Sequence, residues 1–516
     1  MWKHNEPPGD RSRWRPRLKP ALPDGDQGYR RILTWFCLGL LSGLLVSGCA
    51  VGPDFVRPQP PAATQYTQGE EPAKTVAAAG RAQHFAYGAQ IAQDWWRLFQ
   101  SPKLDQVIKE AVAQNPNLQS AQARLQQSQE NLRAGYGTFF PQASGNFSYS
   151  RERFNPAQFG STAKGSIFNL YTSSVSVSYL LDVFGGTRRT VEALAAQADY
   201  QAYTAQATYL TLLGNVANAA IAQAGYLASI DATERLIVFQ KEQVRITETQ
   251  FQAGTAPYAN VVSVQSQLAA TEATLPPIKQ NLDRTQHLLA ALVGRTPAEW
   301  QPPRVDLAEI TLPGELPVTL PSELVRRRPD ILAAEAQMHT ASANVGVATA
   351  AMFPSFTLSA GYGQSSNDIS TLMATGGNFW SAGAALAQPL LRGGTLWFQR
   401  KAAIAAYQAS QTDYRQVVVS AFQQVADTLR AVQHDAEALQ AQAAALNAAR
   451  QALQLTQSNY QAGLVNYLQM LTADNQYQQA RLGYIGAQAQ RLQDTAALFV
   501  SLGGGWWSAD SPMAGK

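Results

Sequence analysis

Residues able to do chemistry are few and far apart. Val46-Ser47-Gly48-Cys49 sets one thiol at the end of the apolar run Ile32 to Val46 and just before Ala50, Gly52 and Pro53. A thiol in that setting can be acylated or alkylated where a leader is cut away. Elsewhere the chain has no HExxH, GxxxxGK or GxSxG segment, and its histidines, His4, His84, His287, His339 and His434, are scattered. Zinc hydrolysis, phosphate cradling and a serine elbow all need such local residue sets. The expectation is therefore no catalytic residue, no metal and no cofactor beyond a covalent lipid.

The region before Cys49 carries Arg11, Arg13, Arg15, Arg17, Lys19, Arg30 and Arg31, then the apolar run, then Ser47 and Gly48. Basic region, short apolar core and small residues at the cut describe a secretory signal over 1–48. A permanent anchor helix is the weaker reading, because a span needs about 20 apolar residues. Val46 to Cys49 resembles the lipobox of bacterial lipoproteins, which implies S-diacylglycerol and N-acyl groups on Cys49. Ala50 in the next position implies sorting to the outer membrane.

Hydrophobic residues make up 46% of the chain and charged ones only 15%, so part of the surface must meet something other than bulk water. Residues 1–48 hold eight of the 40 Lys and Arg and four of the 36 Asp and Glu, which leaves the remainder neutral. The basicity belongs to the leader, so nucleic acid is not an expected partner. Cys37 goes with that leader, and Cys49 alone cannot form a disulfide within one chain.

The elements that must carry these residues come in two copies. The stretch from Asn115 aligns without a gap to that from Arg328, pairing Pro116 with Pro329, Phe140 with Phe353, Pro141 with Pro354 and Tyr149 with Tyr362. Further on, FQAGTAPY from Phe251 matches YQAGLVNY from Tyr460. Each copy reads as a helix (Pro116 to about Tyr136 in the first), two strands of alternating apolar and polar residues, a Gly-Gly corner, a very long helix and a return helix. The long helices are expected over Thr187 to Gln250 and Thr395 to about Gln461, and the return helices over about Tyr258 to Leu292 and Tyr467 to Leu502. A 64-residue helix extends roughly 96 Å, more than a compact domain needs.

Alternation around Phe147 and Tyr149, Val175 to Tyr179, Phe356 to Tyr362, and Trp380 to Leu386 gives four strands of about 10 residues, the length and dyad pattern of lipid-spanning β-structure. A sheet in hydrocarbon cannot leave an edge unpaired, and four strands are too few to close a barrel, which starts at about eight. Several copies must pool their strands. The segments about Arg151 to Leu170 and Gln364 to Asn378 are expected as extracellular loops.

CAVGPDFVRP after the lipobox, WWRLF at Trp95, the duplication, LPSELVRRRPDILAAEAQ from Leu320, the QAG turns and the terminal LGGGWW resemble the outer membrane factors of tripartite efflux pumps, lipoprotein branch. The resemblance implies an α+β membrane protein of TolC-like fold: a homotrimer with a 12-stranded transmembrane β-barrel and a long periplasmic α-helical barrel. It implies a passive conduit for small molecules, working with a periplasmic adaptor and an inner-membrane transporter of the resistance-nodulation-division class. Its parts would be an extended segment 49–93, repeats 94–302 and 303–507, and a tail 508–516.

The resemblance also places a periplasmic gate near the hairpin turns at Gly254 and Gly463. A tyrosine there commonly bonds an aspartate, and here Tyr460 faces Asn260 in that pairing. The acidic constriction positions fall on Gln469 and Thr472, with Asp474 either supplying a charged ring or facing a neighbouring helix. A less acidic, less cation-selective gate is the expectation. Rival readings are a polypeptide-secretion channel of the same architecture and a trimeric adhesin or structural lipoprotein, which would have no use for the strands.

Overall fold

The computed structural model describes residues 50–506, except 70, 156–159, 161, 163 and 375. The expected leader, Cys49 and the C-terminal tail lie outside the described residues.

The duplication is visible in the element order. The first copy runs α1 (Pro102–Gln114), α2 (Pro116–Tyr136), β2 (Gln142–Phe154), β3 (Ser166–Leu181), α3 (Gly186–Gln252) and α4 (Tyr258–Val293). The second runs α5 (Pro321–Arg327), α6 (Pro329–Ala350), β5 (Ser355–Ser366), β6 (Asn378–Ala387), α7 (Thr395–Gln461) and α8 (Tyr467–Ser501). Both long helices, α3 and α7, hold 67 residues, about 100 Å of helix. Short strands β1 (His84–Tyr87) and β4 (Glu315–Val318) precede the two copies and pair in parallel.

Prolines start the short helices because the first turn has no use for its N–H groups. Ser101 and Asn115 cap α1 and α2 by accepting from the backbone of Leu104 and Leu118. Asn115 does more. Its Nδ2 donates to the Leu292 carbonyl at 2.8 Å, which stacks α2 end to end with the last turn of α4, alongside α3. The repeat counterpart of Asn115 is Arg328, and its Nη1 donates to the Ser501 carbonyl at 2.8 Å, joining α6 to α8 in the same way. Each copy is thus one long helix beside two shorter ones that together span most of its length. Equivalent positions make the joint with different chemistry.

The core sits at mid-length, where α1, β1 and β4 wrap the long helices. Trp95 is fully buried, stacks on Phe499 at 5.4 Å and lies with Phe99, Leu104, Ile108, Leu213, Ile221, Leu289 and Leu316. Burial of such side chains gives about 1.5–3 kcal/mol each. Two smaller clusters lie away from this core, one around Ile331, Met338, Tyr414 and Val418 and one around Val264, Tyr467, Met470 and Leu471.

Two expectations change. The strands are longer than about 10 residues in three of four cases, at 13, 16, 12 and 10, so the connecting segments shrink to about 155–165 and 367–377. Arg151, Arg153 and Asn169, read as loop by their polarity, are paired in the ladder. The elements α1, β1, β4 and α5 are additions to the expected list.

Candidate functional site

The four strands form one antiparallel sheet in the order β2-β3-β5-β6, so the two copies join at β3 and β5. Residues directly opposite in such a ladder lie on one face. Tyr149 faces Tyr171, Val175 faces Tyr362, Val177 faces Ala360, Tyr179 faces Leu358, Tyr362 faces Trp380, and Phe356 faces Leu386. The other face pairs Ser144 with Ser176, Ser148 with Thr172, Ser178 with Ser359 and Gly361 with Ser381. Ser144 and Ser176 hydroxyls lie 2.9 Å apart. Of the large apolar residues on this polar face, Phe154, Phe168, Leu170 and Phe379 lie toward the loop end and Leu180 at the helix end.

Trp380 is 75% exposed, and the apolar surface continues past β6 through Leu386, Leu390 and Leu391 to Trp397 and Phe398 at the start of α7. Lys401 lies over the Trp397 ring at 5.3 Å. Aromatic and basic side chains of this kind suit a membrane–water boundary. No helix among the described residues is long and apolar enough to cross a membrane. Both outer strands, β2 and β6, present open edges.

The chain just after Cys49 is held where the sheet meets the helices. Val51 N–H donates to the Phe184 carbonyl at 3.1 Å. Gly185, at φ +79°, packs so tightly on Ala50 that a Cβ would stand 2.6 Å from its Cα. Arg189 is buried and binds Asp54 at 2.6 Å and Glu192 at 2.7 Å. Phe55 stacks on His339 at 4.3 Å and Arg57 pairs with Glu335 at 2.8 Å, so the segment follows α6 away from the sheet. Farther on, Tyr66 donates to the Thr319 carbonyl, and the buried Arg491 donates to Gln83 and Thr75.

At the opposite end both hairpins turn alike. Gly254 and Gly463 have φ +71° and +72°, and the next residues, Thr255 and Leu464, donate back to the carbonyls of Gln250 and Asn459. That backbone path is the Schellman ending, which glycine adopts without strain. An aromatic pair flanks each turn, Phe251 with Tyr258 at 5.3 Å and Tyr460 with Tyr467 at 5.5 Å. Only the second pair is turned inward: Tyr467 is buried, while Tyr258 is 60% exposed.

Tyr460 Oη donates to Gln250 Oε1 at 3.4 Å, and Tyr467 Oη donates to Gln243 Oε1 at 3.4 Å. The expected partner of Tyr460, Asn260, lies half-buried in the first turn of α4. Helix packing brings Gln243 and Gln250 of α3 within hydrogen-bond reach of the tyrosines, while Val264 near the start of α4 packs against the same cluster. Burial pushes the Tyr467 phenol above its usual value.

Gln469 and Thr472 are exposed on α8. Gln469 closes a capping box with Asn466, and Thr472 Oγ1 bonds back to the Leu468 carbonyl at 2.9 Å. Asp474 points the other way, since two residues turn a helix by about 200°. It is 1% exposed, and Oδ2 accepts from Gln240 Nε2 at 3.1 Å. A ring of Asp474 carboxylates beside Gln469 and Thr472 is therefore excluded; the residue faces the neighbouring helix. Burial pushes its carboxyl above the ordinary range. Beside it Asn475 Nδ2 donates to Gln267 Oε1 at 2.8 Å.

The position of Asp474 on the face opposite Gln469 and Thr472 was readable from helical spacing. The glutamines of α3 carried no sequence signal, because their partners are more than 200 residues away. Among the described residues no group of three or more His, Cys, Asp or Glu side chains could hold a metal.

Comparison with known proteins gives consistent results. The family model described as "Outer membrane efflux protein" matches residues 107–295 and 320–504, the two copies. The toluene efflux pump outer membrane protein TtgC of Pseudomonas putida is 29% identical over 90% of this chain and 95% of its own. The pyoverdine export outer membrane protein OpmQ of the same species is 30% identical over 81% and 89%. Among solved structures, the outer-membrane channel OprN superposes with TM-score 0.79 at 27% identity, covering 89% of this chain and all of its own. The CmeC channel of Campylobacter jejuni, at 19% identity, shares the fold with TM-score 0.81, covering 89% and 95%.

Proposed function

The chain belongs to the outer membrane efflux protein family, and from that premise we propose how its residues make a conduit. It is an efflux channel of the outer membrane that extends into the periplasm. In the proposed assembly three copies join β6 of one to β2 of the next, closing a barrel of twelve strands. The observation that carries this is the register of the sheet, which gathers most of the apolar side chains of the four strands on one face and leaves both edges open. In lipid each unpaired backbone group costs several kcal/mol, so the edges must meet. The Ser, Thr and Gly face then lines a wetted lumen, and the paired long helices continue it.

Cys49 is the proposed site of diacylglycerol and N-acyl attachment. Support comes from the lipobox-like Val46 to Cys49 and from the tight seat of the next residues, Ala50 and Val51, at the sheet–helix corner. The hairpin turns at Gly254 and Gly463 are the proposed gate and the end that meets a periplasmic adaptor, with a transporter of the resistance-nodulation-division class supplying the free energy. Gln469 and Thr472 give that gate a neutral lining. The cargo is small molecules, in line with a toluene efflux pump protein and a pyoverdine export protein among its relatives.

The test is export in cells. A strain lacking the gene should accumulate a membrane-permeant dye and regain export with the native chain, but not with a chain lacking β5 and β6. Unchanged dye export on deletion, with its adaptor and transporter present, would reject the reading.

A further inference from the structure

Gln240 and Asp474 meet in the interior between α3 and α8, 2% and 1% exposed. Gln240 Nε2 donates to Asp474 Oδ2 at 3.1 Å, while Gln240 Oε1 is buried without a hydrogen-bond partner. A carboxylate offers acceptors only, so it cannot satisfy that oxygen; a carboxylic acid can. An unmade bond to a buried acceptor costs about 1–3 kcal/mol, and an unpaired buried charge costs more. We propose that Asp474 is a neutral acid here and closes a two-bond ring with Gln240, Nε2–H to Oδ2 and acid O–H to Oε1, that ties α8 to α3 and opens on ionisation.

The surroundings hold no compensating cation. From α3, Gln243 bonds Tyr467, Lys241 pairs with Glu272 of α4 at 2.9 Å, and Arg245 pairs with Glu242 on the exposed side. Glu248 accepts from Gln265 of α4, and Gln267 of α4 is taken by Asn475. From α7 come the Tyr460 phenol and the exposed Arg450, and on α8 the next charge is Arg481, two turns on. Burial accordingly raises the affinity of Asp474 for its proton. When the proton leaves to water, the acid–amide ring loses its O–H bond and sets a charge against the orphaned Gln240 Oε1. Because α3 and α8 belong to different hairpins, the device makes their separation pH-sensitive. Its effect on conductance rests on the gate proposed above.

The test uses the full-length channel in lipid bilayers, titrated stepwise from acid to alkaline pH, because burial moves the ionisation of such an acid upward. Spin labels on exposed Ile246 of α3 and Leu468 of α8 report the distance between the helices, and single-channel recording reports opening. The native chain should show a longer distance and about tenfold higher open probability at the alkaline end, the change expected for about 1.4 kcal/mol. Asp474→Asn keeps both bonds without a titrating proton, so it should stay at the acid-side distance throughout. A pH-dependent distance with unchanged conductance supports the latch and removes the gate reading. A native distance that ignores pH, or an Asp474→Asn chain that tracks the native curve, overturns the proposal.

Discussion

Tyr460 meets Gln250 of the long helix across 3.4 Å, with Asn260 outside that contact, so the bond that ties this tyrosine to α3 is a neutral one. Bonds of that kind contribute about 0.5–1.5 kcal/mol each. Tyr460→Phe is expected to raise spontaneous opening by a factor of about 2–10, and Gln250→Leu by a similar amount. The double variant should add little, because each change removes the same bond. Asn260→Asp should leave single-channel opening unchanged, since no tyrosine reaches it. Tighter closure in that variant would show that Tyr460 works through Asn260 after all.

The two faces of the sheet predict opposite responses to charge. Arg in place of Ala384, opposite Leu358 on the apolar face, should cost about 2–4 kcal/mol near the bilayer midplane and cut the amount of folded protein in the outer membrane. Arg in place of Ser176, opposite Ser144, should insert normally and lower cation conductance. Heat-modifiable migration and bilayer recordings read the two outcomes, and a reversed pattern would invert the assignment of lipid and lumen.

Asp435 on α7 lies near Asp494 on α8, and burial together with that second carboxyl pushes it up to about 7. The nearby Arg491 offsets this in part, and is itself pushed down by burial. An acid whose folded value exceeds its unfolded one binds more protons in the folded state. Stability is then fully present below the unfolded value near 3.8 and falls as pH rises toward about 7. The melting temperature of the detergent-solubilised protein should decline over that window, and Asp435→Asn should flatten the decline. An equal slope in the variant would assign the dependence elsewhere.

Much of this architecture was legible because proline and glycine punctuate it. Pro116, Gly254 and Gly463 mark ends of the helices to within a residue or two, and the fixed frame between copies made the second half a check on the first. Strand lengths were underestimated because Arg151 and Asn169 look like loop residues, although a strand rising beyond the bilayer carries polar side chains without penalty. The signal for α1 was present in Ser101, Pro102 and the spacing of Leu104, Val107, Ile108 and Ala111, a cap followed by an apolar stripe. Four-residue strands paired in parallel across more than a full repeat, β1 with β4, have no periodicity long enough to read. At the gate, spacing along α8 separates Asp474 from Gln469 and Thr472, but only the packing of the two hairpins names Gln240, Gln243 and Gln250 as partners.

The open edges of β2 and β6 carry the heaviest demand, because they require neighbouring copies before the sheet can lie in lipid. Native mass spectrometry of the protein extracted from outer membranes in mild detergent measures this directly. Particles of three chains, surviving dilution and collapsing only on heating, are the predicted result. A folded, lipid-inserted particle of one chain would contradict it.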